Sequence, residues 1–145
     1  MSTPVISARL AVTGADRAAV LAIREQVFVQ EQGVPYELEM DDLDAAADHF
    51  VARLGDRAVG AGRLVVEGDT GVLGRLAVSR SARRSGLGAA LVSAIEDRAR
   101  ERGLTAVVLH AQTHARAFYA RLGYVAEGGE YEEAGIPHIS MRKPM

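Results

Sequence analysis

The run Arg83-Arg84-Ser85-Gly86-Leu87-Gly88 carries the plainest chemistry in the chain. Its glycines remove side chains at the start of an apolar helical pattern, so backbone N–H groups can approach a ligand closely. The helix dipole favours negative charge at that end. Arg83 and Arg84 add fixed cations, and Ser85 is placed to cap the helix. The combination suits a pyrophosphate; a tight turn with solvated arginines is the plainer alternative. Two other phosphate sites are disfavoured. A dinucleotide fingerprint needs a third glycine where Leu91 stands, and an acid near the end of the next strand, which 105–111 lacks. A P-loop needs Gly-Lys-Ser/Thr, and the only lysine is Lys143.

Other reactive side chains are sparse. The absence of cysteine excludes disulfides, zinc–cysteine sites, iron–sulfur clusters and thiol nucleophiles. His110 and His114 are four apart, but Ala111 replaces the glutamate of H-E-x-x-H, and the pair falls on a strand and a loop. A zinc protease is rejected and no metal is expected. His110 reads as a satisfied core histidine on its strand. His49 and His138 lie on strands far apart in sequence and receive no role.

Charge is segregated although the net value is only −2. Between Glu25 and Asp48 stand eight acids and no Lys or Arg; between Gly74 and Ile95 stand Arg75, Arg80, Arg83 and Arg84 and no acid. Leu122 to Met141 again holds acids without balancing cations until Arg142. A basic segment between acidic ones fits an anionic ligand with a cationic one nearby; solvated surface charge is the alternative. The acidic balance and 5% aromatic content argue against a nucleic-acid groove.

The elements that must position these residues follow from periodicity. A strand over 5–12 follows a loose 1–4 lead. A helix capped by Thr13 or Asp16 runs to about Val29, with Ala19, Val20, Ile23 and Val27 on one face. Gly33 and Pro35 break it, and 36–44 is a loop or short second helix. Strands at 48–54, 58–67 and 72–78 form a meander with turns at Gly55-Asp56 and 68–71. The clearest helix starts near Leu87 and ends at Gly103, burying Leu87, Leu91, Ala94, Ile95 and Arg98 and leaving Glu96, Asp97, Arg100 and Glu101 outside. A strand over 105–111, a short helix over 115–122 and strands over 124–131 and 138–143 close the chain. The order is β-α-(α)-β-β-β-α-β-α-β-β. The long helix between the fourth and fifth strands makes those two parallel and their crossover right-handed. An α/β (α+β) mixed sheet with helices on its faces is expected, as one domain over 1–145. With no long apolar run and no basic-then-apolar leader, no membrane span or signal peptide is expected, and the expected location is cytoplasmic.

R-x-x-G-x-G after a strand of the type Leu76-Ala77-Val78 resembles the acetyl-CoA motif of the GNAT acetyltransferases. Downstream, Gln112-Thr113-His114-Ala115-Arg116-Ala117-Phe118-Tyr119 through Gly123-Tyr124 resembles N-x-x-A-x-x-F-Y-x-x-x-G-F, with Gln112 for the asparagine. The element order is that of the GNAT fold. Arg24-Glu25-Gln26-Val27-Phe28-Val29-Gln30-Glu31-Gln32, followed by Glu39-Met40-Asp41, looks like the ElaA-type subgroup. The same helix with Glu39, Asp41 and Asp44 as E-x-D-x-x-D also resembles acyl-homoserine-lactone synthases, for which the chain is short.

The resemblance implies two central parallel strands that splay around acetyl-CoA. Pantetheine would pair with the backbone of Leu76, Ala77 and Val78. The pyrophosphate would sit on Arg84, Ser85, Gly86, Leu87, Gly88 and Ala89 with Arg83 beside it. Gln112 and Phe118 would border the cofactor, Phe118 mainly as core. A substrate amine would attack directly, with Ala77 N–H or its neighbour as oxyanion donor. Tyr119 matches the general acid that protonates the CoA thiolate; the competing reading is a core aromatic. Many relatives carry a glutamate near the position of Arg75, which this chain lacks. Glu31, Glu39, Asp41, His110 or a water chain remain as base or acceptor candidates. The acidic stretch would border the acceptor mouth and steer a cationic amine, either a small molecule or a protein lysine. The expected partner is that acceptor, with the chain as monomer or homodimer; nucleic acid and membrane are not expected. A CoA-binding domain without turnover and a small interaction module stand as the non-enzymatic alternatives.

Overall fold

In the computed structural model, which describes residues 5–145, the basic loop joins two neighbouring parallel strands. The 1–4 lead lies outside the described residues. The strands are β1 (Ile6–Leu10), β2 (Asp48–Leu54), β3 (Arg57–Glu67), β4 (Thr70–Val78), β5 (Ala106–Gln112), β6 (Val125–Glu133) and β7 (Ile136–Pro144). The helices are α1 (Gly14–Arg24), α2 (Tyr36–Glu39), α3 (Leu87–Glu101) and α4 (Arg116–Arg121). One seven-stranded sheet has the order β1-β2-β3-β4-β5-β7-β6. β4 and β5 are parallel and the neighbouring pairs are antiparallel. This is the mixed sheet expected from the α3 crossover.

The two faces bury different sets, as strand alternation requires. Phe50, Ala52, Leu64, Leu73, Val107, Leu109 and Ala111 join Leu87, Leu91 and Ile95 of α3 in one core. Val51, Ala61 and Ala77 join Val20 and Ile23 of α1 in a second, smaller core. Leu91 and Ile95 are fully buried because β3 is smooth beneath them: a Cβ on Gly60 would lie 3.1 Å from Leu91 Cδ1, and one on Gly62 would lie 2.9 Å from Ile95 Cδ1. The helix therefore sits lower on the sheet than side chains at those positions would allow.

Two expectations are corrected. Thr13 caps α1, accepting from the Asp16 N–H at 3.0 Å, but α-helical geometry ends at Arg24. Glu25–Glu31 continues as π-helix, with Gln32 N–H donating to the Val27 carbonyl at 3.2 Å. Apolar spacing alone cannot separate these two windings over one turn. Glu96 is buried instead of solvated. The Tyr124 hydroxyl donates to it at 2.8 Å and Lys143 Nζ lies 3.1 Å away, so the acid anchors α3 to the sheet beyond β5. Its partners are remote in sequence, which hid the pairing from helical periodicity.

Candidate active site

β4 and β5 share a ladder only from Thr70↔Ala106 to Leu73↔Leu109. β4 continues to Val78 and β5 to Gln112, so a wedge opens between them. Its origin is on the other edge of β4. There Arg63 pairs with Gly74 and Ala61 with Ala77, so Arg75 and Leu76 oppose the single residue Gly62. This is a β-bulge, which bends its strand. Arg75 adopts φ +53°, a left-handed conformation that costs a non-glycine residue ~1–3 kcal/mol. Leu76, Ala77 and Val78 line the wedge where β5 offers them no ladder.

A buried charge network holds the bulge. Arg75 Nη2 contacts Asp41 at 3.1 Å, and its Nε lies 3.2 Å from the Glu39 carbonyl and 3.1 Å from the Glu39 carboxylate. Arg24, at 0% exposure, donates to the Glu39 carboxylate at 2.8 Å, the Glu39 carbonyl at 2.7 Å and Asp44 at 2.8 Å. Arg63 bridges Asp41 at 2.7 Å and Asp44 at 2.9 Å. Burial pushes the Asp41 and Asp44 carboxyls up, but the arginine hydrogen bonds and charges outweigh it and hold both below the usual carboxylate range. Glu39 and Asp41 are thus engaged by guanidinium groups. At Glu39 burial outweighs the arginines and holds the carboxyl above the usual range.

At the wide end of the wedge, Gly86 is the N-cap of α3 at φ +86°, and Arg84 is left-handed at φ +65°. Ser85 does not cap the helix, contrary to expectation; its hydroxyl donates to the Ala82 carbonyl. No side chain caps α3, so the first-turn N–H groups of Leu87, Gly88 and Ala89 remain open to an anion. A Cβ on Gly88 would lie 3.1 Å from Phe118 Cζ, so this glycine also admits the α4 ring. Arg83 donates to the Val78 carbonyl at 3.0 Å and to Glu31 at 2.8 Å. Glu31 is thereby tied to the loop side of the wedge.

Gln112 donates to Gln32 Oε1 at 2.7 Å, and its own Oε1 lies 2.7 Å from His114 Nε2, tying the end of β5 to the π-helical segment. Tyr119 is 7% exposed, its ring edge-on to Phe118 and Tyr124 at centroid distances of 5.0 and 6.0 Å. Burial pushes its phenol well above the usual range, so the proton stays on. His110 is exposed, not a core histidine; its Nδ1 lies 2.8 Å from the Tyr131 hydroxyl and 3.2 Å from Ser140 Oγ. The sequence reading missed Arg63 and Tyr131. Their partners are 22 and 21 residues away, and no local spacing signals such pairs. The described residues contain no group of three or more His, Cys, Asp or Glu able to hold a metal ion. No described helix is long and apolar enough to cross a membrane.

Residues 14–145 match the family described as an acetyltransferase (GNAT) domain. The chain is 42% identical over 122 residues to the uncharacterized N-acetyltransferase YjcF of Bacillus subtilis, covering 83% of this chain and 87% of that one. It is 35% identical over 130 residues to protein ElaA of Escherichia coli, covering 86% and 85%. The crystal structure of ElaA superposes with a TM-score of 0.82 at 28% identity, covering 97% of this chain and 99% of that one. An acyl-CoA N-acyltransferase from Pseudomonas aeruginosa also gives 0.82, at 34% identity and the same coverages of 97% and 99%.

Proposed function

The chain belongs to the GNAT acetyltransferase family, in its ElaA-like branch, and from that membership we propose that it moves an acetyl group from acetyl-CoA directly to a primary amine. Acyl transfer from a CoA donor to an acceptor is the family's chemistry; acetyl as the group and an amine as the acceptor are the proposal. The observation that carries it is the wedge itself. One wall presents β4 backbone without a β5 ladder, and the wide end meets an uncapped helix N-terminus.

Pantetheine, an extended amide chain, pairs with Leu76, Ala77 and Val78 as a strand would. The pyrophosphate takes the open N–H groups of Leu87, Gly88 and Ala89, with Arg84 beside it. Arg83 turns part of its charge to the phosphates from its place on Glu31. The backbone N–H of Ala77, next to the bulge, or that of its neighbour polarises the thioester carbonyl. The amine lone pair forms the C–N bond, the C–S bond breaks, and the thiolate takes a proton from Tyr119. Burial keeps the proton on this phenol at neutral pH, and charge developing on sulfur would draw it off.

Thermal unfolding and thiol release together test this. At ~100 times its dissociation constant, acetyl-CoA should stabilise the fold by ~2.7 kcal/mol. NAD and ATP should stabilise it far less. A panel of primary amines with acetyl-CoA should give thiol release and N-acetylated amine. Equal shifts with all three ligands would mean generic anion binding. A large acetyl-CoA shift without release across the panel would leave a CoA-binding domain without turnover.

A further inference from the structure

We infer that His110, oriented by Tyr131, is the general base that deprotonates the incoming amine, on the strand opposite the one where the family usually carries a glutamate. The inference rests on the transferase reading above. The last ladder pair of the wedge is Leu73↔Leu109. His110 is therefore the first β5 residue inside the opening, and Arg75 stands just inside it on β4. Leu109 and Ala111 belong to the core beneath α3, so His110 points to the opposite face, the one over which Arg75 meets Glu39 and Asp41. Arg75 cannot accept a proton, and the nearby carboxylates of Glu39, Asp41 and Asp44 lie on arginines. Glu31 is paired to Arg83 on the loop side. Among the candidates for a base, His110 alone combines an exposed side chain with a nitrogen that the neighbouring side chains leave free.

Nδ1 is the nitrogen its neighbours engage, which leaves Nε2 without a side-chain partner among the described residues. Ser140 pairs across from His110 on β7 and contacts its Nδ1 at 3.2 Å; the Tyr131 hydroxyl contacts the same nitrogen at 2.8 Å. Ser140 Oγ also lies 3.4 Å from the Tyr131 oxygen. Tyr131 is itself braced by the His138 ring, stacked at 6.0 Å and 26°. The proposed base is the tautomer with its proton on Nδ1, in which Nε2 keeps its lone pair. The other ionisable groups sharing this face by register are Glu127 and Tyr131 on β6 and His138 and Arg142 on β7, with Arg75 across the wedge; Glu133 lies 3.5 Å from His138.

The step balances as follows. An alkylamine arrives as the ammonium, and Nε2 takes one proton, exposing the lone pair. That pair forms the bond to the thioester carbon, and the C–S pair leaves with sulfur. The second proton lost by nitrogen is matched by the one the thiolate gains, and His110 returns the first to solvent.

The test uses two acceptors of similar shape, ethylamine and trifluoroethylamine, the second largely unprotonated at neutral pH. His110→Gln should lower kcat/KM by ~10²–10⁴-fold with ethylamine and far less with trifluoroethylamine. Tyr131→Phe should shift the acid limb of the ethylamine pH–rate profile while leaving the acetyl-CoA dissociation constant unchanged. In ¹⁵N-labelled wild-type protein, the neutral His110 ring should carry its proton on Nδ1. Equal losses for the two amines, or a ring protonated on Nε2, would overturn the assignment while leaving the transferase reading intact. A wild-type enzyme that releases no CoA with either amine, or with any other primary amine, would overturn that reading and the base with it.

Discussion

Tyr119 stands between two readings, a core aromatic and the proposed general acid. It lies in the core under α3 and packs edge-on between Phe118 and Tyr124, as a structural aromatic would. Yet no hydrogen bond holds its hydroxyl among the described residues, whereas Tyr124 spends its own on Glu96. A hydroxyl without a structural partner is available for the thiolate. Tyr119→Phe should therefore leave the unfolding midpoint nearly unchanged and lower kcat by ~10²–10⁴-fold. Acetyl-CoA affinity should move far less, since the bond strengthens as charge develops on sulfur. Turnover close to wild type would remove Tyr119 from the mechanism. The arginines tell a complementary story. The helix onset after the Arg83–Gly88 loop was legible, because glycine spacing and helix start are local. Motif reading could not see that Arg75 and Arg84 both sit at positive φ, since backbone strain has no signature in residue type when glycine is absent.

At the scale of elements, β2 was expected over 48–54 and occupies Asp48–Leu54, and α3 begins at Leu87 as its pattern required. Helical spacing is strong where α3 packs on one face, whereas β2, buried on both faces, was bounded by its turn residues. The acidic stretch was harder. Its acids read as a solvated or steering surface, but Glu39, Asp41 and Asp44 fold back on Arg24, Arg63 and Arg75. The E-x-D-x-x-D spacing thus has a structural use in this chain: it fastens the α2 segment to the bulge that opens the wedge. Removing one member leaves buried charge behind. Arg24→Met should destabilise the fold by about 3–5 kcal/mol, measured by urea unfolding. It should also weaken acetyl-CoA binding through the loosened bulge, although Arg24 lies away from the cofactor loop. A loss below about 1 kcal/mol would mean that the network is not holding these elements together.

For the whole molecule, the network acts on the response to acid in two directions: Asp41 and Asp44 one way, and Glu39, raised by burial, the other. Asp41 and Asp44 have carboxyls lowered in the folded state relative to the unfolded value of roughly 3.9. Their contribution is present above that value and is lost as pH falls through the lower folded values, because the unfolded chain takes up protons first. The Asp41 and Asp44 contribution should hold steady from neutrality to about pH 5 and decline below about pH 4. Asp44→Asn should flatten that decline while lowering stability near neutrality; an unchanged slope would place acid sensitivity elsewhere. Sheet order, the crossover and the two-faced packing followed from the element pattern. The splay of β4 from β5 did not, because it depends on a bulge set by β3 register and clamped by side chains from α1 and the α2 segment.

The account stands on the wedge being the cofactor site, and backbone amide shifts in an NMR titration with acetyl-CoA test that most directly. The expected result is a set of large changes at Leu76–Val78 and at Arg84–Ala89, saturating together. Titration with ATP should move the second group weakly and leave the first unmoved. Saturable acetyl-CoA shifts that bypass both segments, or an ATP titration that reproduces the whole pattern, would contradict it.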